Sequence, residues 1–181
     1  MKSIYLIRHC SASGQEPDAE LTDEGQQQAQ GLAEFLSQED IERIISSPFT
    51  RAVQSIEPFR VQKELELTLD MRLTERVLSK QPLDDWLEKL ESSFSDMNQV
   101  IGEGESSHKA QERIVEVINE IKDGPDDRVA VVTHGNLLSL LLNYVDSRFG
   151  FREWQSLSNP DVYLITANRE EPLSVTRLWK S

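Results

Sequence analysis

The sequence predicts an α/β fold, a three-layer α/β/α sandwich around a mostly parallel central sheet. Three observations carry that expectation. "SIYLI" (Ser3–Ile7) and "RVAVV" (Arg128–Val132) are short, β-branched, unbroken apolar runs of the kind covered on both faces. Between them, Ala29, Leu32, Ala33 and Leu36 fall at i, i+3, i+4, i+7, as do Ile114, Val117, Ile118 and Ile121, which is helical spacing. Strands alternating with helices imply crossover connections and hence parallel pairing, with function at the carboxyl ends of the strands.

Taken in order, "SIYLI" is the first strand, and Thr22 after Leu21 can cap the helix that carries Ala29 to Leu36. "RIIS" (Arg43–Ser46) reads as a strand running into "SPFTRAVQSI", where Ser47 can cap a helix with Pro48 at its first position. Leu65, Leu67 and Leu69 alternate, and "LDMRLTER" follows. From Pro82 to Ser107 the chain is acidic, carries Gly102 and Gly104, and has a weak pattern; it reads as an inserted helix and flexible loop forming a small lid (82–107) over one end of the sheet. Ser106 or Ser107 begins the next helix, "RVAVV" is a strand, and "NLLSLLLNYV" (Asn136–Val145), apolar nearly all round, is a buried helix. "VYLITA" and "SVTRLW" are strands joined through "NREEPL".

A chain of 181 residues, 38% hydrophobic, supports one core, so residues 1–181 are expected to form one domain. The net charge of -13 argues against non-specific binding to nucleic acid or anionic membrane, each of which needs a basic face. One cysteine excludes an intrachain disulfide framework, the N-terminus lacks a secretion-type apolar segment, and no apolar run approaches a membrane span. A soluble, cytoplasmic protein is the expectation.

The stretch "YLIRHCSASGQEP" (Tyr5–Pro17) offers two nucleophiles. From Cys10, "HCSASG" looks like a cysteine phosphatase loop, but such a loop needs an Arg six positions on, and that position holds Glu16, which would repel phosphate and raise the thiol pKa. From His9 the chemistry is better supplied. Arg8 and His9 follow the first strand, Arg51 lies in the first turn after the second, Glu75 follows the leucine alternation, and His134 follows "RVAVVT". In a parallel sheet these converge at one rim. Two guanidiniums can grip phosphoryl oxygens bidentately, a neutral His9 can attack phosphorus, and His134 can hydrogen-bond an equatorial oxygen. Burial of His9 beside Arg8 favours the neutral ring. Any one Arg or His at a strand end is more often a solvated or capping residue; their joint occurrence is the signal. No His-Glu-x-x-His or Cys/His cluster is present, so neither metal nor cofactor is expected. His108 reads as a surface residue, the Gln26–Gln28 run as a solvated face, and Trp86, Trp154 and Trp179 as core.

These residues resemble the histidine phosphatase superfamily, also called phosphoglycerate mutase-like, through "LIRH" (Leu6–His9), "LTDEGQQQA" (Leu21–Ala29), "SSPFTRAVQS" (Ser46–Ser55), "LTE" (Leu73–Glu75), "GES" (Gly104–Ser106) and "VTHG" (Val132–Gly135). The resemblance implies a phosphohistidine on His9, a phosphate pocket of Arg8, Arg51 and His134, and Glu75 as proton donor to the leaving oxygen. It departs from the family at Cys10, where Gly is usual, and in "SASGQEP". The expected activity is a metal-independent phosphoric monoester hydrolase of the histidine acid phosphatase type, acting on a small phosphorylated metabolite or a phosphoprotein. A phosphoglycerate mutase-type phosphotransferase would have a longer insertion after Glu75 and cations in it, whereas Pro82–Ser107 has one Lys and no Arg. A phosphohistidine-protein phosphatase and a non-catalytic phosphate-binding regulatory protein are the further alternatives.

Overall fold

A computed structural model describes residues 1–168 and 171–180. In chain order the elements are β1 (Lys2–Arg8), α1 (Asp23–Leu36), β2 (Arg43–Ser46), α2 (Thr50–Lys63), β3 (Leu67–Leu69), α3 (Trp86–Ser95), α4 (Ser107–Asp123), β4 (Arg128–Thr133), α5 (Gly135–Val145), α6 (Phe151–Gln155), β5 (Asp161–Ala167) and β6 (Ser174–Arg177), with a 3-10 turn at Met71–Leu73. The strands form one sheet in the order β3-β2-β4-β1-β5-β6. β3, β2, β4 and β1 are mutually parallel; β5 runs antiparallel to β1, and β6 antiparallel to β5.

Alternation along the strands divides the core. Ile4, Leu6, Ile45, Val129 and Val131 face α4 and α5. Tyr5, Ile7, Ile44, Ala130 and Val132 face α1 and α2. Both helical periodicities therefore bury their apolar stripes, one on each side of the sheet, giving the three layers. Within α5, Leu137, Leu138, Leu140, Leu141 and Leu142 are all fully buried, each contributing about 1.5–3 kcal/mol of transfer free energy. Thr22 caps α1, its hydroxyl accepting from Gly25 N–H at 3.0 Å. Gly25 is required there, because a Cβ would stand 2.0 Å from the Ser11 carbonyl oxygen.

The chain leaves β1 toward β2 and β3, returns to β4, and then crosses to β5 on the other flank, so the carboxyl ends of β1 and β4 lie side by side at the point where strand order reverses. Arg8 is the register partner of Thr133 there. This is the crevice that open parallel sheets offer to ligands.

One local expectation is corrected. Ser47 does not cap α2: the helix begins at Thr50 with Phe49 before it, and the Ser47 N–H still extends the strand ladder to Val132 O at 2.9 Å. The five-residue helix α6 has no counterpart in the sequence reading. Within the leucine alternation, Leu69 at the edge of the sheet is 54% exposed, and after it Asp70 caps the 3-10 turn, accepting from Arg72 N–H at 2.8 Å. Within Pro82–Ser107, α3 buries Leu90 and Ser93, and the loop after it is tied back by Glu105 N–H to Val77 O (2.7 Å) and Lys80 N–H to Gly102 O (2.9 Å). Ser106 caps α4. Of the expected "NREEPL" connection, Arg169 and Glu170 lie outside the described residues. Among the described residues no helix is long and apolar enough to cross a membrane.

Candidate active site

His9 leaves β1 buried, at 6% exposure. Its Nδ1 lies 2.6 Å from its neighbour's carbonyl, Cys10 O. A carbonyl can only accept, so Nδ1 carries the proton and Nε2 keeps its lone pair. Arg51 Nε–H donates to that lone pair at 3.2 Å. Burial first, then the Arg51 and Arg8 guanidiniums, push the His9 pKa down to about 3 against the raising effect of the Cys10 carbonyl. The ring is therefore neutral at ordinary pH, with the Nε2 lone pair turned toward Arg51. Asn159 Nδ2 holds the His9 carbonyl at 2.8 Å.

Arg51 enters from the first turn of α2, is fully buried, and gives Nη1–H to Glu16 O at 2.8 Å. Arg8 lies against the start of α5: a Cβ at Gly135 would stand 2.9 Å from Arg8 Nε and 3.0 Å from Cζ. Arg8 Nη1–H makes only long bonds, 3.4 Å each, to Leu157 O and Ser158 O. Burial lowers the pKa of both guanidiniums, with Glu75 opposing the shift in each.

His134 is fully buried at the end of β4, its ring centroid 5.1 Å from that of His9. Burial is the main cause of a pKa well below the ordinary histidine value. Its Nε2 lies 2.7 Å from Ser47 Oγ, which also accepts Phe49 N–H at 3.3 Å. When the hydroxyl points its proton at Nε2, the imidazole proton sits on Nδ1. Ser47 is the residue sequence reasoning assigned to the wrong task; a serine before proline has the signature of a cap, and nothing local announces a histidine 87 positions away.

Glu75 sits under the N-terminus of α5. Its Oε1 accepts from Arg76 N–H (2.8 Å) and Leu137 N–H (2.9 Å), whereas Oε2 accepts only from Asn136 N–H (3.0 Å). One oxygen is saturated and the other retains a free lone pair. Arg113 fixes the segment from behind, donating to Arg72 O (2.6 Å) and Thr74 O (2.8 Å) while bridging to Glu105 at 2.7 Å.

All five sequence-predicted residues are thus gathered at one rim. Cys10 is not with them: its thiol is buried in the layer under α1 and α2, burial pushes its pKa up to about 11, and its N–H donates to Ser55 Oγ at 2.8 Å. Among the described residues, the buried side-chain polar atoms without a hydrogen-bond partner are Arg8 Nε, His134 Nδ1, Arg76 Nη2 and Asn136 Oδ1. Two belong to the predicted phosphate pocket; Arg76 and Asn136 line, with Arg8 and Glu75, an adjoining cavity of about 450 Å³. Trp86 and Trp154 line it too, and Trp86 is 50% exposed, which corrects its assignment to the core. No group of three or more His, Cys, Asp or Glu among the described residues could hold a metal ion.

The histidine phosphatase superfamily (branch 1) matches residues 4–179. Among curated relatives, "Phosphoglycerate mutase-like protein 4" of Arabidopsis thaliana is 30% identical over 179 residues, covering 88% of this chain and 76% of that protein. A "Probable phosphoglycerate mutase GpmB" of Shigella dysenteriae serotype 1 is 28% identical over 163 residues, covering 80% and 75%. Of solved structures, the mycobacterial glucosyl-3-phosphoglycerate phosphatase with inorganic phosphate superposes with TM-score 0.79 at 22% identity, covering 100% of this chain and 98% of that one. A phosphoserine phosphatase mutant from Entamoeba histolytica in complex with phosphoserine gives TM-score 0.78 at 18% identity, covering 97% and 95%. At such identities these structures establish the mostly parallel α/β fold and nothing finer.

Proposed function

The chain belongs to the histidine phosphatase superfamily, and from that premise we propose that it is a metal-independent phosphomonoesterase working through a phosphohistidine on His9. The observation that carries the proposal is the His9 ring: neutral, with Nδ1–H held by Cys10 O and the Nε2 lone pair presented beside Arg51. A phosphoryl group entering between Arg8, Arg51 and His134 takes up the unpartnered Arg8 Nε–H and His134 Nδ1–H, and Arg51 Nε–H turns from His9 to a phosphoryl oxygen. Nε2 then forms the N–P bond as the bond from phosphorus to the leaving oxygen breaks. These three cationic or N–H donors stabilise the charge spread over the equatorial oxygens. Glu75 supplies the leaving oxygen with a proton from Oε2, the oxygen with a lone pair to spare, and in the second half takes a proton from the water that attacks phosphorus, releasing inorganic phosphate and restoring His9.

Hydrolysis is favoured over phosphoglycerate mutation by the shortness of the 82–107 segment, whose one cation, Lys89, is placed 3.7 Å from Asp85. We read that segment, with α3, as a lid on one domain.

Release of inorganic phosphate from a generic phosphomonoester, measured beside phosphoglycerate interconversion, tests the proposal. The wild type should hydrolyse and not interconvert, with chelator making no difference; Cys10→Ser should keep most of the rate and His9→Ala none. Turnover in His9→Ala, or a rate restored in proportion to added divalent ion, would overturn it.

A further inference from the structure

The cavity beside the proposed phosphate site shares Arg8 and Glu75 with it, so a leaving group attached to the phosphorus would extend into it. At about 450 Å³ it has the size of a small-metabolite site. Its walls are of two kinds. Trp86 and Trp154 meet edge to face with centroids 6.5 Å apart, and Leu78 and Leu90 continue the apolar side. Trp154 is itself backed by the Phe151 ring, stacked at 5.5 Å with 21° between planes, so the tryptophan is held rather than free to fold away. A half-exposed Trp86 on a short helix is otherwise an unexplained apolar surface.

The polar side carries Arg76, 5% exposed. It gives Nε–H to Glu105 O at 3.1 Å and Nη1–H to Ser93 Oγ at 2.8 Å, while Nη2 has no partner. Both of its carboxylate neighbours are engaged elsewhere, Glu105 with Arg113 and Glu75 with three backbone N–H groups. Its direct bonds go to neutral acceptors, and the attraction of Glu105 and Glu75 offsets only part of the burial that disfavours its charge, so Nη2 is left to an incoming anion. Asn136, 8% exposed, adds the unpartnered acceptor Oδ1.

We propose that this cavity is a leaving-group subsite for a flat unsaturated ring bearing an anionic group, the ring packed against Trp86 and Trp154 and the anion taken by Arg76. The assignment rests on the phosphomonoesterase reading and narrows its substrates to ring-bearing phosphate esters of small metabolites.

Three esters with leaving alcohols of similar acidity test it: benzyl, cyclohexylmethyl and 4-carboxybenzyl phosphate. In the wild type, kcat/KM for benzyl should exceed that for cyclohexylmethyl about three- to tenfold, the worth of an aromatic pair. The 4-carboxybenzyl ester should exceed benzyl about tenfold or more, the worth of a charge-assisted hydrogen bond. Trp86→Ala should erase the first ratio and spare the second; Arg76→Gln should do the reverse, with benzyl phosphate turnover in the same variant reporting that it has folded. Should Arg76→Gln not fold, Arg76→Lys, which keeps the charge and loses the planar fork, should show a reduced second ratio. Three equal wild-type rates, or ratios that survive both substitutions, would overturn the subsite. If none of the three is hydrolysed, it is the phosphomonoesterase reading that fails, and the subsite is then judged by binding: 4-carboxybenzyl alcohol should quench tryptophan emission saturably in the wild type and not in Trp86→Ala, and absence of saturable quenching would end the proposal.

Discussion

The His9 side chain is worth most while it carries no charge, and its surroundings set a pH window. An unfolded chain binds a proton on histidine below about 6.5, whereas folded His9 does so only below about 3. Between those values the unfolded state holds the extra proton. Stability is therefore complete above about pH 6.5 and falls as pH drops toward 3, by roughly 1.4 kcal/mol per pH unit for one fully titrating group. His134 shifts in the same direction. Denaturant melts at stepped pH should show this loss in the wild type and a slope shallower by about one proton in His9→Ala; identical slopes would mean that His9 charges in the folded protein and is not poised to attack. Glu75 makes a separate prediction through the leaving group. In Glu75→Gln, hydrolysis of alkyl phosphates should fall strongly, on the order of 10²–10⁴-fold, the usual worth of a general acid. A nitrophenyl ester, whose phenolate leaves unprotonated, should lose less in the first step and should accumulate acid-labile phosphoenzyme, visible after rapid quenching. Equal losses and no trapped intermediate would make Glu75 a support for α5, through its bonds to the Asn136 and Leu137 N–H groups. The rim placement of Arg8, His9, Arg51 and His134 was legible in the sequence because each ends a strand, follows one directly or opens the next helix, whereas Glu75, past the Met71–Leu73 turn, was placed only by its following the leucine alternation. Ser47 and Arg76 were not, since their roles depend on partners brought from distant segments: His134 for one, Ser93 and Glu105 for the other.

At the scale of elements, the start of α5 is the most constrained part of the site. Its first N–H groups address Glu75, and its first residue must leave room for Arg8. Gly135→Ala places a methyl group 2.9–3.0 Å from the Arg8 guanidinium, tighter than packed atoms tolerate, while alanine suits a helix better than glycine. The variant should fold with unchanged or slightly raised thermal stability, yet inorganic phosphate should inhibit it about tenfold less well, since the displaced guanidinium loses a bidentate contact. Unaltered phosphate inhibition would remove Arg8 from the binding site. The long helices were legible for two reasons: in α1 and α4 the stripes Ala29, Leu32, Ala33, Leu36 and Ile114, Val117, Ile118, Ile121 repeat with helical period and end up buried, and in α5 the nearly unbroken leucine run is long enough only for a buried helix. α6 was not: a five-residue helix spans barely more than one turn, too short for periodicity to register. The start of α2 was misread for a different reason. The strand ladder runs one residue past "RIIS", carrying Ser47 with it, and tertiary pairing overrides the local Ser-Pro cap signal.

For the molecule as a whole, the proposed phosphate site, with its two arginines, sits in a chain of net charge -13. The two fields differ in range. In the proposed site Arg8 and Arg51 would act on a phosphoryl group within a few ångströms, where salt screens little; the acidic surface would act on the approaching dianion through solvent, where the Debye length shrinks from about 30 Å at 0.01 M ionic strength to about 8 Å at 0.15 M. Long-range repulsion should therefore slow encounter at low salt, and screening should relieve it. Accordingly kcat/KM for a dianionic phosphomonoester should rise severalfold between about 0.01 M and 0.15 M ionic strength set with chloride, while kcat, which reports steps after binding, should stay level. Sulfate at matched ionic strength should instead inhibit, because it competes for the arginines. A phosphopeptide flanked by lysines should respond in the opposite sense and lose kcat/KM as salt screens its attraction to the acidic surface. A dianion whose kcat/KM falls steadily with chloride from the lowest ionic strength would mean that the local arginine field reaches into solvent and outweighs the surface, and that substrate is steered toward this site rather than admitted against the charge of the whole protein.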